Sequence, residues 1–257
     1  MITDFERRLV SEEIQDPKEQ ERILEQVDKG EPLAYLLGKW FFWRYTFWIN
    51  RDCLIPRPDT ECLVEEALTL LPPKGKFVDL CTGCGCIALS LLRERPDSQA
   101  IGVDISSGAL QAAQINGKNL AVSHRWTLLQ ADLLREDPLS DQTFSLLLSN
   151  PPYIPTKDLT DYPELKAEPE IALNGGFDGL SFYRRFLTHF SCHLQPKGSF
   201  LFEIGYDQGD AISELASSYG FSCRIRKDYG GRDRVAILTK KIESTDWETI
   251  DGRKELV

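Results

Sequence analysis

From Lys76 onward, apolar runs of strand length alternate with segments apolar at helical spacing, the pattern of a doubly wound, mostly parallel sheet. The spacing predicts a seven-stranded α/β fold with strands near 76–81, 99–104, 125–130, 144–149, 198–204, 221–227 and 233–239. Helices are predicted near 86–94, 107–118, 181–194 and 208–219. Before Lys76 the pattern is different. Residues 4–15 read as a short helix with Phe5, Leu9 and Ile14 inward, and a second helix starts at Asp16-Pro17-Lys18-Glu19 and ends at Gly30. In that start Asp16 is the N-cap, Pro17 takes the first helical position and Glu19 closes a capping box. Trp40 to Ile49 is dense in aromatic side chains and predicts a hairpin turning near Arg44-Tyr45. The favoured reading is that it glues the helices to the main domain; the alternative is an exposed aromatic surface that grips a partner. Leu54 to Glu61 is a proline-stiffened approach to a helix running through Leu71, capped by Asp59 or Thr60.

The chain thus divides into a small helical docking region (1–38), an aromatic hairpin linker (39–58), the sheet domain (59–240) and a polar tail (241–257), read as loose from Lys240. At 257 residues there is room for one large domain with a small appendage. The formal net charge of −10 argues against a surface built for direct contact with nucleic acid. No apolar run is long enough to span a bilayer. Seven cysteines, an odd count, with no secretory leader pattern, predict reduced thiols in a cytoplasmic monomer. Cys81, Cys84 and Cys86 raise a metal hypothesis, but no second Cys/His pair has zinc-site spacing, so no metal is expected. His189 and His193 share a helix face, where a surface or packing role is expected.

The candidate chemistry gathers at strand ends. Phe144 to Ser149 reads as a buried parallel strand, which places Asn150-Pro151-Pro152-Tyr153 at its carboxyl end, where open α/β sheets bind ligands. The prolines remove donors and stiffen the backbone. What remains is a ledge of acceptors, the Asn150 side-chain oxygen and the Pro151 carbonyl, with the Tyr153 ring beside it. Two acceptors and a ring face suit a planar NH2 group. Upstream, Cys81-Thr82-Gly83-Cys84-Gly85 joins the first strand of the sheet domain to a helix, a tight turn that lets backbone approach a ligand. The next strand ends at Asp104, placed to take both hydroxyls of a ribose. Gly83-x-Gly85-x-x-Ala88 also satisfies a dinucleotide fingerprint, but an asparagine–proline ledge handles an amino group rather than a hydride acceptor. S-adenosylmethionine fits better, with Asp79 near its ammonium, Asp104 on the ribose, Asp132 on the adenine amino group and Ile105 and Leu133 against the ring. Arg57, flanked by prolines, is a fixed cation bordering the site.

Taken together, these residues resemble the release factor glutamine methyltransferase family, from about Gly30 to Leu238. The resemblance rests on Gly30-Glu31-Pro32, Ile55 to Glu61, Phe144 to Ile154, Glu168-Pro169, Ala172 to Leu180, Glu203-Ile204-Gly205 and Asp228 to Arg234. It implies a class I methyltransferase domain over 59–240 that methylates the side-chain amide of the glutamine in the Gly-Gly-Gln motif of peptide chain release factors. It further implies that Asn150 to Tyr153 carry the substrate amide, and that Cys81 to Gly85, Asp104, Leu133 and Asn150 hold S-adenosylmethionine. Cys81 stands where the family has a glycine, Glu170 where it has an arginine, and the region before Gly30 is shorter than the family's helical domain. The alternatives are a ribosomal-protein glutamine methyltransferase, a nucleic-acid amino methyltransferase and a cofactor-binding module without catalysis.

Overall fold

The structure is a computed structural model that describes residues 2–241, 247–250 and 253–256. Two helices, α1 (Asp4–Glu13) and α2 (Pro17–Asp28), open the chain. The capping box forms on α1, where Thr3 and Glu6 cap each other, and not on α2 as expected. Asp16 does cap α2 through the Lys18 amide at 3.0 Å, but Glu19 turns along the helix to Arg22 at 2.6 Å. A one-turn helix, α3 (Leu33–Leu37), follows, too short for its periodicity to stand out in the sequence. These helices bury Leu9, Val10, Ile23 and Leu33 in a small core of their own.

The aromatic stretch forms the hairpin β1 (Lys39–Phe42) and β2 (Tyr45–Trp48), with the turn at Trp43-Arg44, one residue earlier than expected. Trp43 there takes φ 58°. Its role is packing: Phe42 and Phe47 are buried, and Glu94 accepts from Trp43 Nε1 at 3.0 Å and Tyr45 Oη at 3.1 Å. The Asn116 side chain ties Trp48 to the glycine turn, accepting from the Trp48 amide at 2.7 Å and donating to the Cys84 carbonyl at 2.9 Å.

A single 3-10 turn, Pro58–Thr60, leads into α4 (Glu61–Leu70), which has no side-chain cap; Asp59 and Thr60 are engaged elsewhere. Then come β3 (Lys76–Leu80), α5 (Cys86–Glu94), β4 (Gln99–Asp104), α6 (Ser107–Asn119), β5 (Trp126–Gln130) and β6 (Phe144–Ser149). They are followed by α7 (Ser181–Arg185), β7 (Leu194–Glu203), α8 (Gly209–Ser218), β8 (Phe221–Lys227) and β9 (Asp233–Lys240). The sheet order is β5-β4-β3-β6-β7-β9-β8, with only β9 antiparallel to its neighbours. Where one regular helix was expected over 181–194, α7 passes into a π turn at Phe186–Phe190 and a 3-10 turn at Ser191–His193. β7 starts earlier than expected because Leu194 pairs with Phe144 ahead of a bulge. The tail read as loose carries a short antiparallel pair, β10 (Trp247–Ile250) and β11 (Arg253–Leu256); residues 242–246, 251, 252 and 257 lie outside the described residues.

Both faces of the sheet are covered, which is why β6 is apolar at four of its six positions and buried throughout. One core packs α4, α5, α6 and the hairpin on one face; the other packs Tyr183, Phe186, Phe190, Phe200 and Phe202 on the opposite face. Strand order reverses between β3 and β6, and the crevice at the carboxyl ends of those strands is where the site residues meet.

Candidate active site

A cavity of about 670 Å³ opens at this reversal, lined from the turn after β3, the ends of β4 and β5, and the segment after β6. Among the expected residues, Arg57, Cys81, Thr82, Gly83, Cys84, Asp104, Ile105, Asp132, Leu133, Asn150 and Pro152 line it together. Asp79, Gly85, Pro151 and Tyr153 do not.

The turn is left-handed three times, at Cys81 (φ 60°), Gly83 (φ 56°) and Gly85 (φ 82°). A Cβ on Gly83 would meet no protein atom within 4 Å, so this backbone borders open space that a ligand can approach. Asp104 is held by backbone alone: its carboxylate accepts from the Gly83 amide at 2.8 Å and the Ser106 amide at 2.9 Å. Burial raises its pKa, against the pull of those amides. Beyond it, Ile105 is 41% exposed at the rim while Leu133 is buried, giving two apolar surfaces beside the Asp132 carboxylate. Asp132 is itself oriented by the Leu134 amide at 3.1 Å and Arg135 Nε at 3.3 Å.

Asp79 sits under the turn, fully buried, and not in the cavity beside a ligand's ammonium. Its Oδ2 accepts from Thr82 Oγ1 at 2.6 Å, and its Oδ1 has no hydrogen-bond partner among the described residues. Burial pushes this carboxyl up to about 7, with the Thr82 hydroxyl pulling the other way.

At the end of β6, Ser149 Oγ donates to the Leu80 carbonyl at 2.6 Å and fixes the spacing of the two strand ends. Asn150 lines the cavity and donates through Nδ2 to Thr60 Oγ1 at 3.4 Å, which leaves its Oδ1 as the acceptor of the side chain. Pro152 lines the cavity and Pro151 is buried. The Tyr153 ring does not stack on the cavity as expected; it borders a second cavity of about 260 Å³, and its hydroxyl points to Glu203 Oε1 at 3.4 Å. The glycines of Asn174-Gly175-Gly176 have a steric reason: a Cβ on Gly175 would lie 2.7 Å from Tyr153 Cα, so only glycine lets this loop pack on the ledge. The Ile154 amide donates to the Leu173 carbonyl at 3.0 Å and the Gly175 amide to the Ile154 carbonyl at 2.8 Å. Arg57 is a fixed cation at the rim, held by Glu168, which also accepts from the Ile55 amide at 2.9 Å. Glu170 lines the cavity too.

Sequence reasoning missed Thr60, Glu168 and Glu203 as partners of the site. The first two were read as a helix cap and a motif residue, and Glu168 meets Arg57 across 111 positions. The Cys53 thiol lies within hydrogen-bonding reach of Cys84, at the cavity wall. His193 is buried against the Gln142 carbonyl and Asp137 Oδ2, each at 2.8 Å. Spacing alone gave it no third ligand, yet Asp137 and Cys192 bring their ligand atoms within 4.8 Å of it and of each other.

Residues 58–162 match the family described as Methyltransferase small domain. The Release factor glutamine methyltransferase of Caulobacter vibrioides is 38% identical over 245 residues, covering 93% of this chain and 83% of that protein. The protein of the same name from Geobacter sulfurreducens is 42% identical over 210 residues, covering 80% of this chain and 72% of that protein. The crystal structure of a methyltransferase from Pyrococcus furiosus matches with a TM-score of 0.56 at 16% identity, over 87% of this chain and 98% of that one, a likeness of fold.

Proposed function

The chain belongs to the release factor glutamine methyltransferase family, and from that premise we propose that it moves a methyl group from S-adenosylmethionine to the side-chain amide nitrogen of the Gly-Gly-Gln glutamine of peptide chain release factors. The observation that carries the reading is that Asn150, its Nδ2 engaged by Thr60, lines the same cavity as the glycine turn and Asp104.

The cavity suits S-adenosylmethionine on its own features. Gly83 leaves room against the turn, Asp104 offers lone pairs to ribose hydroxyls, and Ile105, Leu133 and Asp132 offer a slot with an acceptor for adenine. Cys81, Thr82, Cys84 and Gly85 shape the turn, and Asp79 supports it from beneath through Thr82. When bound, S-adenosylmethionine supplies an electrophilic methyl group on a sulfonium.

Asn150 Oδ1 accepts from the substrate amide and Pro152 walls the site, whereas Pro151, expected to supply a second acceptor, is buried and does not line the cavity. An amide nitrogen is a poor nucleophile because its lone pair is delocalised into the carbonyl. As that nitrogen becomes tetrahedral and gains positive charge, Asn150 Oδ1 binds it more strongly than in the ground state, and that difference lowers the barrier. The protonated methyl-amide is a strong acid and gives its proton to water, so no side-chain base is needed. His124, His189 and His193 line neither the main cavity nor the smaller one beside Tyr153. Arg57 stands at the rim for the arriving protein loop, and the site works in the cytoplasm, consistent with seven free cysteines.

The test is transfer of labelled methyl from S-adenosylmethionine to a purified release factor, beside a copy whose Gly-Gly-Gln glutamine is replaced, with ribosomal protein and DNA as parallel acceptors. Label on the intact release factor alone is expected. Label on ribosomal protein or DNA instead would overturn the substrate assignment.

A further inference from the structure

Behind the ledge lies a set of buried polar groups that the reaction as described does not use. Thr60 and Glu203 are each 2% exposed. Thr60 Oγ1 is 3.4 Å from Asn150 Nδ2 on one side, and on the other its hydroxyl is one of the groups that favour the charged form of the Glu203 carboxylate. Glu203 closes β7; its Oε1 lies 3.4 Å from the Tyr153 hydroxyl and 4.0 Å from Arg234 Nη1. Its Oε2 is buried with no partner in good hydrogen-bond geometry, an expensive arrangement for a carboxylate. The long contacts are of the kind that tighten when substrate closes a site.

The two ends of the Asn150 amide have nearly the same shape and opposite chemistry. With oxygen toward the cavity it accepts a substrate N–H; turned over, it presents donors to donors. Hydrogen-bond direction decides between them. An ionised carboxylate only accepts, so a Thr60 hydroxyl turned to Glu203 gives its single hydrogen there and keeps only lone pairs for Asn150. Asn150 must then turn its NH2 to Thr60 and its oxygen to the cavity. We propose that Thr60 and Glu203 are positioning residues that lock the Asn150 amide in its accepting orientation for methyl transfer. This rests on the reading of Asn150 as the substrate's acceptor.

Protonation of Glu203 releases the lock, because the acid can donate to Thr60 and free the threonine hydrogen for Asn150 Oδ1. The charged and titratable groups facing Glu203 are Asp59 before α4, Tyr153 on the ledge and Arg234 on β9; Asp228 acts through Arg234, and Tyr183 Oη donates to the Glu203 carbonyl at 2.8 Å. Burial pushes Glu203 up to about 7, with the Thr60 hydroxyl and Arg234 pulling it down. The transfer rate is therefore expected to rise as pH passes upward through that region.

The experiment measures kcat, KM for a release factor and the dissociation constant for S-adenosylmethionine from pH 6 to 8, in wild type, Thr60→Val, Thr60→Ser and Glu203→Gln. Thr60→Val is expected to lower kcat by about 20-fold with KM and cofactor affinity little changed, as for loss of one orienting hydrogen bond. Thr60→Ser, which keeps the hydroxyl, is expected to stay within about 3-fold of wild type by the same reasoning. Glu203→Gln is expected to lose the rise of kcat with pH. Equal rates in Thr60→Val and wild type overturn the inference, as does equal loss in Val and Ser or an unchanged pH profile in Glu203→Gln. Wild type is the control for the underlying reading: no transfer by it to the release factor overturns both, whereas transfer by wild type and by Thr60→Val alike overturns the lock alone.

Discussion

The two ends of the cavity are built differently. At the end proposed for the cofactor, Asp104 is fixed by two backbone amides from the turn and the start of α6. At the end proposed for the substrate, Asn150 meets a side chain, Thr60, brought from 90 positions away, and the orientation inferred for that contact depends on Glu203 from β7. Backbone amides cannot be mutated away and are set by the fold itself; side-chain contacts can be lost one at a time. The cofactor end should therefore tolerate changes at the substrate end, while the substrate end depends on several distant residues being right together.

The largest effect that sharpens this contrast is expected at Asp104. Asp104→Ala removes charge-assisted acceptors for the ribose and leaves two amides unpaired, and should weaken S-adenosylmethionine binding by roughly 100-fold, measured by calorimetry. An unchanged dissociation constant would remove Asp104 from the ribose role.

Next in size is the pH dependence of stability that Asp79 imposes. Burial raises its folded-state pKa to about 7, above its unfolded value, so the folded state holds the proton more tightly. That stabilisation is complete below the unfolded pKa and is lost as pH rises toward 7. Denaturant titrations of wild type and Asp79→Asn between pH 4 and 8 should show wild type losing stability relative to the variant, at no more than about 1.4 kcal/mol per pH unit. Parallel curves would contradict the assignment.

The smallest effect lies in the turn itself. Cys81 takes φ 60°, a conformation costing a side-chain-bearing residue about 1–2 kcal/mol, while its side chain packs against the aromatic core on that face of the sheet. Cys81→Gly should stabilise the protein by at most about 1 kcal/mol, raising Tm by roughly 2 °C, with cofactor affinity unchanged within error. A lower Tm would mean that the sulfur's packing outweighs the backbone strain.

The same contrast explains what the amino-acid sequence revealed. The parallel sheet was legible because β3, β4 and β6 are short apolar runs bounded by turn residues, and strand ends then located Asp104 and Asn150 without any long-range information. The hairpin turn was legible only to within a residue of Arg44-Tyr45, because Trp43, an unusual residue for φ 58°, takes the position a glycine or asparagine would have marked. The capping box was assigned to Glu19 because Asp16-Pro17 is a strong start signal, yet Glu19 found Arg22 one turn on. Asp79 and Tyr153 were expected to face ligand. A strand-end position does not say which side of the strand a side chain takes, and both turn into the protein, toward Thr82 and Glu203. The inferred partnership of Thr60 with Glu203 left no trace in local pattern, since it joins a helix start to a distant strand end.

The most direct test of the central claim is single-turnover methyl transfer to a release factor by Asn150→Ala, with S-adenosylmethionine binding measured on the same preparation. The account predicts that transfer falls by at least about 100-fold while the cofactor's dissociation constant stays within about 3-fold of wild type, because only the substrate's acceptor has been removed. Near-normal transfer would contradict the ledge as the catalytic element, and a parallel loss of cofactor binding would contradict the independence of the two ends.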